Sequence, residues 1–458
     1  MGIYSISGLP SNLTYEISDY KLHDKICDST GGCSLGITKL ITLTIKYKDG
    51  GFNSSSTEYN LKIDFDFRKI CKISYSDIYS YNYPEEVISG GKLEMQFVNS
   101  STQKKVNIYM DGTELARDRY SYSDGYLILD NITGDIVIEW GISFLYDGDT
   151  FSITLKNFVN NTTDATYSSQ DSKITYIGFY EEKLPEGYTV NSLNALPKVS
   201  VSEDNKIHAY NDNGKIIVYS KNIIATKESM YSMFRNMINL KEINLLQLDT
   251  SRCTSMQSTF AYTSSLETLD LSLLDTSNVD NMLAMFHATG NENLQLDLSN
   301  FDTSKVTNMN QMFKNLDAKN LDVSSFDTSN VTDMGYMFYE MTKLESLNIS
   351  NLNTSKVEIF DHTFSRLYLM QELDVSSFDT KSVTNMVKMF SSCNALKTIY
   401  VGDNWDTTNV SDSTSMFADS FNLVGEKGTT YDSNYVDITY ARVDSVENKG
   451  YLTYKPSS

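Results

Sequence analysis

Leu296-Asp297-Leu298-Ser299-Asn300-Phe301-Asp302-Thr303-Ser304-Lys305-Val306-Thr307-Asn308-Met309-Asn310-Gln311-Met312-Phe313 is one copy of a phrase that the chain returns to eight times between Ser232 and Phe417. Its closing aromatic recurs at Phe234, Phe260, Phe286, Phe313, Phe338, Phe364, Phe390 and Phe417, in steps of 26, 26, 27, 25, 26, 26 and 27 residues. A fixed period of this size marks units too small to bury their own apolar face, which must stack on neighbours to do so. The repeats therefore present a surface. They carry no evident reaction chemistry.

Two periods run through each unit. Leu269-Asp270-Leu271-Ser272 alternates apolar and polar residues, as a short half-buried strand does. Asp275-Thr276-Ser277 then turns the chain and can cap the next segment through side-chain oxygens. Val279, Met282, Met285 and Phe286 recur at spacings of three and four, which predicts one face of a short helix. The same positions hold Leu321, Val323, Phe326, Val331, Met334 and Met337, then Leu373, Val375, Phe378, Val383, Met386 and Met389. Strand, turn and helix per unit predict an α/β leucine-rich-repeat solenoid of about eight repeats, each close to 26 residues long.

On these residues the segment resembles the BspA-like leucine-rich repeats of bacterial surface proteins. The resemblance extends to a leading hairpin over Lys206 to Ser220. It also takes in a closing segment over Asn422 to Thr453, with Leu423-Val424-Gly425, Tyr440-Ala441-Arg442 and Gly450-Tyr451. It implies an adhesive or interaction role and brings no shared ligand and no catalytic residues. Some units depart from the pattern: Thr259 and Thr363 replace a methionine, Asn353 replaces the turn aspartate, Phe360 replaces a second methionine and Cys253 a valine. Each fits a core slot, and the threonine hydroxyls can bond back to a carbonyl.

Fifteen of the 18 methionines lie at or after Met230, where their helical spacing reads as core filling rather than a promiscuous groove. No proline occurs between Pro197 and Pro456, which suits an uninterrupted stack. The earlier residues read as all-β, sandwich-like modules. Leu40 to Tyr47 and Tyr59 to Phe67 read as a hairpin around Asp49-Gly50-Gly51, and short alternating runs from Gly91 to Trp140 turn at Asp111-Gly112 and Asp124-Gly125. Phe151 to Phe158 and Ile174 to Tyr180 read as further strands, and Lys206 to Ala209 with Lys215 to Tyr219 as a hairpin capping the first repeat. The expected organisation is a β-module at 1–85, a small β-sandwich-like module at 86–142, a β-rich connecting module at 143–200 and the capped repeat domain at 201–458.

The formal net charge of -21 disfavours phosphate backbones and anionic lipid, so nucleic acid is not an expected partner. Tyrosine is abundant, including Tyr75, Tyr79, Tyr81 and Tyr83, and serves contact surfaces as well as strands. No apolar run of about 20 residues predicts a membrane span, and Met1 to Pro10 does not read as a secretory leader. His23, His208, His287 and His362 are widely separated, and no nucleophile elbow, phosphate loop, zinc spacing or dinucleotide fingerprint occurs. Cys27 and Cys33 could close a small loop, yet with Cys71, Cys253 and Cys393 the total is five, and reduced structural thiols are the preferred reading. No enzyme activity, cofactor or metal is expected.

The candidate binding face consists of two outward columns. Asp270, Asp297, Asp322, Asn348 and Asp374 should stack about 4.8 Å apart, a like-charge column that needs solvation, neighbours or a divalent ion. Thr268, Gln295, Asn320, Ser346, Glu372 and Thr398 can vary beside them without touching the core. A second series, Asp249, Asp275, Asp302, Asp327, Asp379 and Asp406, should be structural, each carboxylate accepting amides in its turn. The leading functional expectation is a phage virion appendage, fibre or decoration. Its first 200 residues would attach to other virion proteins, and its repeats would recognise a host cell-surface protein or glycan, with homo-oligomerisation open. The alternative is a bacterial cell-surface adhesin of the BspA-like type.

Overall fold

In the computed structural model the chain is described over residues 84–97, 105–123, 126–181 and 183–456, together with seven strands before residue 77. The turns expected at Asp49-Gly50-Gly51 and Asp124-Gly125, and Tyr79, Tyr81 and Tyr83, lie outside the described residues. The chain divides into two compact units, Met1–Gly141 and Ile142–Ser458.

The first unit is β-structure. Its five-stranded sheet runs in the order Thr113–Glu114, Val106–Met110, Ile136–Trp140, Ile70–Ser76 and Glu86–Ile88; a three-stranded sheet joins Tyr120–Ser123, Tyr126–Ile132 and Gly91–Gln96. Alternation sets the buried face, with Leu127 and Leu129 inside beside Ile136 and Ile138. Asp111 and Gly112 both take positive φ, 49° and 77°, as the two-residue turn between paired Met110 and Thr113 requires. The hairpin expected from Leu40 to Phe67 is not formed: Thr42–Tyr47 pairs with Leu13–Ser18, and Lys62–Asp66 with Gly2–Ser7. Alternation identifies a strand without naming its partner.

In the second unit the strand expected at Phe151 to Phe158 is instead helix α1, Gly148–Asn160, closed by Asn161 in the left-handed region. Phe151, Leu155 and Val159 are buried at intervals of four, so a run that also fits period two packs as a helix. A short helix α2, Val190–Asn194, starts at a capping box on Thr189 and Ser192. A six-stranded sheet follows in the order Lys198–Ser200, His208–Asp212, Lys215–Tyr219, Tyr176–Tyr180, Glu242–Asn244 and Thr268–Asp270. The hairpin over His208–Tyr219 is therefore present, but Tyr176–Tyr180 lies between it and the first repeat strand.

The helix expected in every repeat is absent. Among the described residues α1 and α2 are the only α-helices, and both precede the repeats. In the unit ending at Phe286, the amides of Met282, Ala284, Phe286 and Ala288 cross to carbonyls of Asn308, Asn310, Met312 and Lys314, at 3.1, 2.9, 2.9 and 2.8 Å. The intervening amides of Met285, His287 and Thr289 bond three residues back, at 3.2, 3.2 and 3.3 Å. An α-helix would use all these amides internally and leave none for the next repeat. Two left-handed residues per repeat permit the alternation: Ala284 and Ala288, Gln311 and Asn315, Tyr336 and Glu340, His362 and Arg366. Outside glycine this conformation costs roughly 1–2 kcal/mol per residue, which the inter-repeat bonds offset.

Nor do the short strands form one sheet. Asn320–Asp322 pairs with Ser346–Asn348, while Glu372–Val375, Thr398–Val401 and Leu452–Tyr454 form a separate sheet. No strand is formed at Leu296-Asp297-Leu298. The fold is thus mostly β-strand and turn, which overturns the expected α/β leucine-rich-repeat solenoid. What joins successive repeats is a series of single parallel bridges through Ser229, Ser255, Asn281, Asn308, Asp333, Ile359, Asn385 and Asp412.

Inside the bridges the repeat aromatics form a continuous stack. Phe234, Phe260, Phe286, Phe313, Phe338, Phe364, Phe390 and Phe417 are buried, with successive ring centroids 5.6, 5.4, 5.7, 5.9, 5.5, 5.8 and 5.7 Å apart. The substituted positions are absorbed by this core. The Thr259 hydroxyl donates to the Met230 and Met256 carbonyls at 3.0 and 2.8 Å, and Phe360 stacks on Phe378 at 5.5 Å.

Candidate functional site

The strand face carries the two expected columns, in part. Asn320 lies beside Ser346 and Asp322 beside Asn348; Glu372 lies beside Thr398. Thr268 and Asp270 pair instead with Glu242 and Asn244, and Gln295 and Asp297 are exposed outside any strand. Each acidic position is engaged in its own turn. The carboxylates of Asp270, Asp297, Asp322 and Asp374 accept the amides of Ser272, Ser299, Ser324 and Ser376 at 2.9, 3.0, 2.9 and 3.0 Å. Bonds from the serines hold the carboxyls of Asp270, Asp297 and Asp322 below the usual aspartate range.

Neighbours also relieve the column's like charges. The Asn348 amide donates to Asp322 at 3.1 Å, and Lys455 Nζ lies 2.5 Å from Asp374. Among the described residues no group of three or more His, Cys, Asp or Glu side chains is placed to hold a metal ion.

The second acidic series sits at the turn after each strand position. Asp249, Asp275, Asp302, Asp327, Asp379 and Asp406 each accept the amide two residues on, at 2.9, 2.9, 3.0, 2.9, 3.1 and 2.7 Å. Asn353 does the same for Ser355 at 3.1 Å. These side chains shape the backbone.

A third surface, on the face made by the overlapping turns, is not among the residues singled out from sequence. The Tyr336 and His362 rings stack with centroids 4.5 Å apart and planes 10° from parallel. Lys314 Nζ lies 5.3 Å from the Tyr336 ring centre and 5.4 Å from that of Tyr339, and the Arg366 guanidinium lies 5.5 Å from the latter. Arg366 is also paired with Glu340 at 2.8 Å. Towards the first repeat the patch continues through His287, stacked obliquely on Tyr262 at 4.6 Å, and Arg235, 5.2 Å from the Tyr262 ring centre. Burial, followed by the charges of Lys314 and Arg235, pushes His287 down to about 4, so it is neutral at physiological pH.

These residues come from the same few positions of successive repeats, Lys314 and Tyr339 from one and Tyr336 and His362 from another. Writing the repeats beneath one another in register would have placed them side by side.

The comparisons with known proteins address the repeat region. A family described as Mycoplasma protein of unknown function, DUF285, matches residues 228–346 and again 317–430. This family is found in BspA-like surface proteins. The match opens at residue 228, next to Ser229, where the first inter-repeat bridge lies. No curated protein matches the chain, and no solved structure does. Among the described residues no helix is long and apolar enough to cross a membrane.

Proposed function

We propose that the chain is a non-enzymatic recognition protein that meets its partner through the turn face of the repeats. The observation that carries this is the patch formed by Lys314, Tyr336, Tyr339, His362 and Arg366. It concentrates tyrosine and arginine, the residue types that dominate interface energetics, on a backbone fixed by bridges to both neighbouring repeats. The strand face is a weaker candidate, because its carboxylates are committed to turns.

The family match favours display on a bacterial cell surface, in the manner of an adhesin, over a virion appendage. Binding of the labelled full-length chain to host cells tests the reading. The Lys314→Glu, Arg366→Glu variant should bind at least about tenfold more weakly, and Asp297→Asn should bind unchanged. Equal binding by all three proteins would remove the turn face from recognition. Immunogold labelling of intact bacteria and of purified phage particles separates the two settings.

A further inference from the structure

The C-terminal cap contains an open cleft of about 830 Å³, within the range of ligand-binding clefts, ~300–1,000 Å³. On one wall Phe421 is 63% exposed, although the phenylalanines of the repeat stack are buried. Its ring meets Tyr431 edge to face at 5.3 Å, and Tyr431 in turn stacks on the buried Tyr451 at 6.2 Å. The Tyr431 hydroxyl accepts the Asp419 amide at 3.1 Å, which fixes the ring that backs Phe421. The aromatic wall is therefore preorganised.

The rest of the lining is polar and carries two lysines. Lys427 is ion-paired with its neighbour Glu426 at 2.6 Å, so Lys449 is the cation that the lining offers a ligand; the one lining carboxylate, Asp432, has its Oδ1 occupied by the Asn434 amide at 2.9 Å. The hydroxyls of Thr430 and Ser433 line the same space. Its floor is held by the buried carboxylate of Asp444, which accepts the Lys427 and Thr429 amides at 2.8 and 3.0 Å. An exposed aromatic face, hydroxyls and the Lys449 ammonium match three features of one ligand class. The C–H face of a pyranose ring packs on an aromatic ring, its hydroxyls exchange hydrogen bonds, and a carboxylate substituent pairs with lysine. A purely apolar peptide would leave Lys449 unmatched.

We propose that this cleft binds a saccharide bearing a carboxylate, with Phe421 and Tyr431 as the stacking platform and Lys449 as the carboxylate partner. The assignment rests on the reading of the chain as a recognition protein, but it concerns a site separate from the turn-face patch. Calorimetric titration of the full-length chain with 3′-sialyllactose, and with lactose as the neutral counterpart, tests it. The acidic sugar should bind at least about tenfold more tightly than lactose. Phe421→Ala should weaken it about tenfold or more, and Lys449→Gln should remove most of the preference over lactose. Both side chains are on the surface, so melting temperatures should match the parent protein.

No heat of binding with sialyllactose, equal affinity for lactose, or full affinity in Phe421→Ala would overturn the proposal. Loss of cell binding in the Lys314→Glu, Arg366→Glu variant reads on the turn face alone, so the two proposals fail separately.

Discussion

The buried hydroxyl of Thr276 clamps the residue one repeat ahead, donating to the Asp302 carbonyl at 3.0 Å and accepting the Asp302 amide at 2.8 Å. Thr250 holds Asp275 in the same way, Thr354 holds Asp379 and Thr380 holds Asp406. Thr276→Val keeps the shape but leaves an amide and a carbonyl without a partner. Groups left without a partner cost about 1–3 kcal/mol when fully buried, and these bonds are partly buried, so urea unfolding should show a loss of roughly 1–2 kcal/mol, while Thr276→Ser should stay close to the parent. A valine variant as stable as the parent would show that the clamp contributes nothing.

The phenylalanine stack is the second link between repeats. Phe313 lies between Phe286 and Phe338, with planes within 1° and 6° of parallel. Phe313→Ala opens a cavity that both neighbours must line, and the expected cost is about 3–5 kcal/mol. Phe313→Leu retains most of the volume and should cost less. Denaturant unfolding monitored by circular dichroism gives both values, and a loss below about 1 kcal/mol for alanine would mean that the core collapses around the gap.

Much of this core is readable from the repeat phrase alone. Val306, Met309, Met312 and Phe313 are all buried, as their spacing requires. Their backbone is not, because overlapping turns, each closed by a bond three residues back, bury the same positions as a helix does. The left-handed residues that distinguish the two, Gln311 and Asn315 in this unit, have no single residue type that marks them. Phe151, Leu155 and Val159 show the converse case, a helix hidden in a run that also alternates.

The strand-face columns are legible because Asp270 and its equivalents alternate with buried leucines. The turn-face patch is harder to see because its positions are not constant: where Tyr336 and His362 stand, other repeats carry Ser232, Ser258, Ala284, Gln311, Lys388 and Ser415, and where Lys314 stands, others carry Ala261, Ser365, Ser391 and Ala418 as well as Arg235 and His287. The cleft at Phe421 depends on how Tyr431, Tyr440 and Tyr451 cluster in the cap, and no periodicity reports that.

Asp302 supplies a test of the structural role given to the turn aspartates. Its Oδ1 accepts both the amide and the hydroxyl of Ser304, and Asn353 makes the equivalent contacts to Ser355 two repeats later. Asp302→Asn should therefore leave stability nearly unchanged, whereas Asp302→Ala should cost about 1 kcal/mol, as lost caps do. Neither should alter partner binding. A variant that unfolds like the parent but no longer binds would move Asp302 into the recognition surface.

Acid should unfold the C-terminal cap through Asp444. Burial would raise its pKa, but bonds from Thr429, Gly450 and Lys427 outweigh that and hold it below the usual aspartate value. A carboxyl whose pKa is lower in the folded state contributes stability that is fully present above the unfolded value, about 3.9, and is lost as pH falls through the folded value. Asp302, Asp322 and Asp327 are held low by their serine partners and act in the same direction. Unfolding free energy measured in urea should be level from neutral pH to about pH 5 and then fall steeply below about pH 4. Asp444→Asn replaces one carboxylate oxygen with a donor that faces two other donors. It should cost about 2–3 kcal/mol at neutral pH and flatten the acid limb. If the variant kept the parent's slope below pH 4, or if the parent gained stability there, the carboxylate of Asp444 would not be what closes the cap.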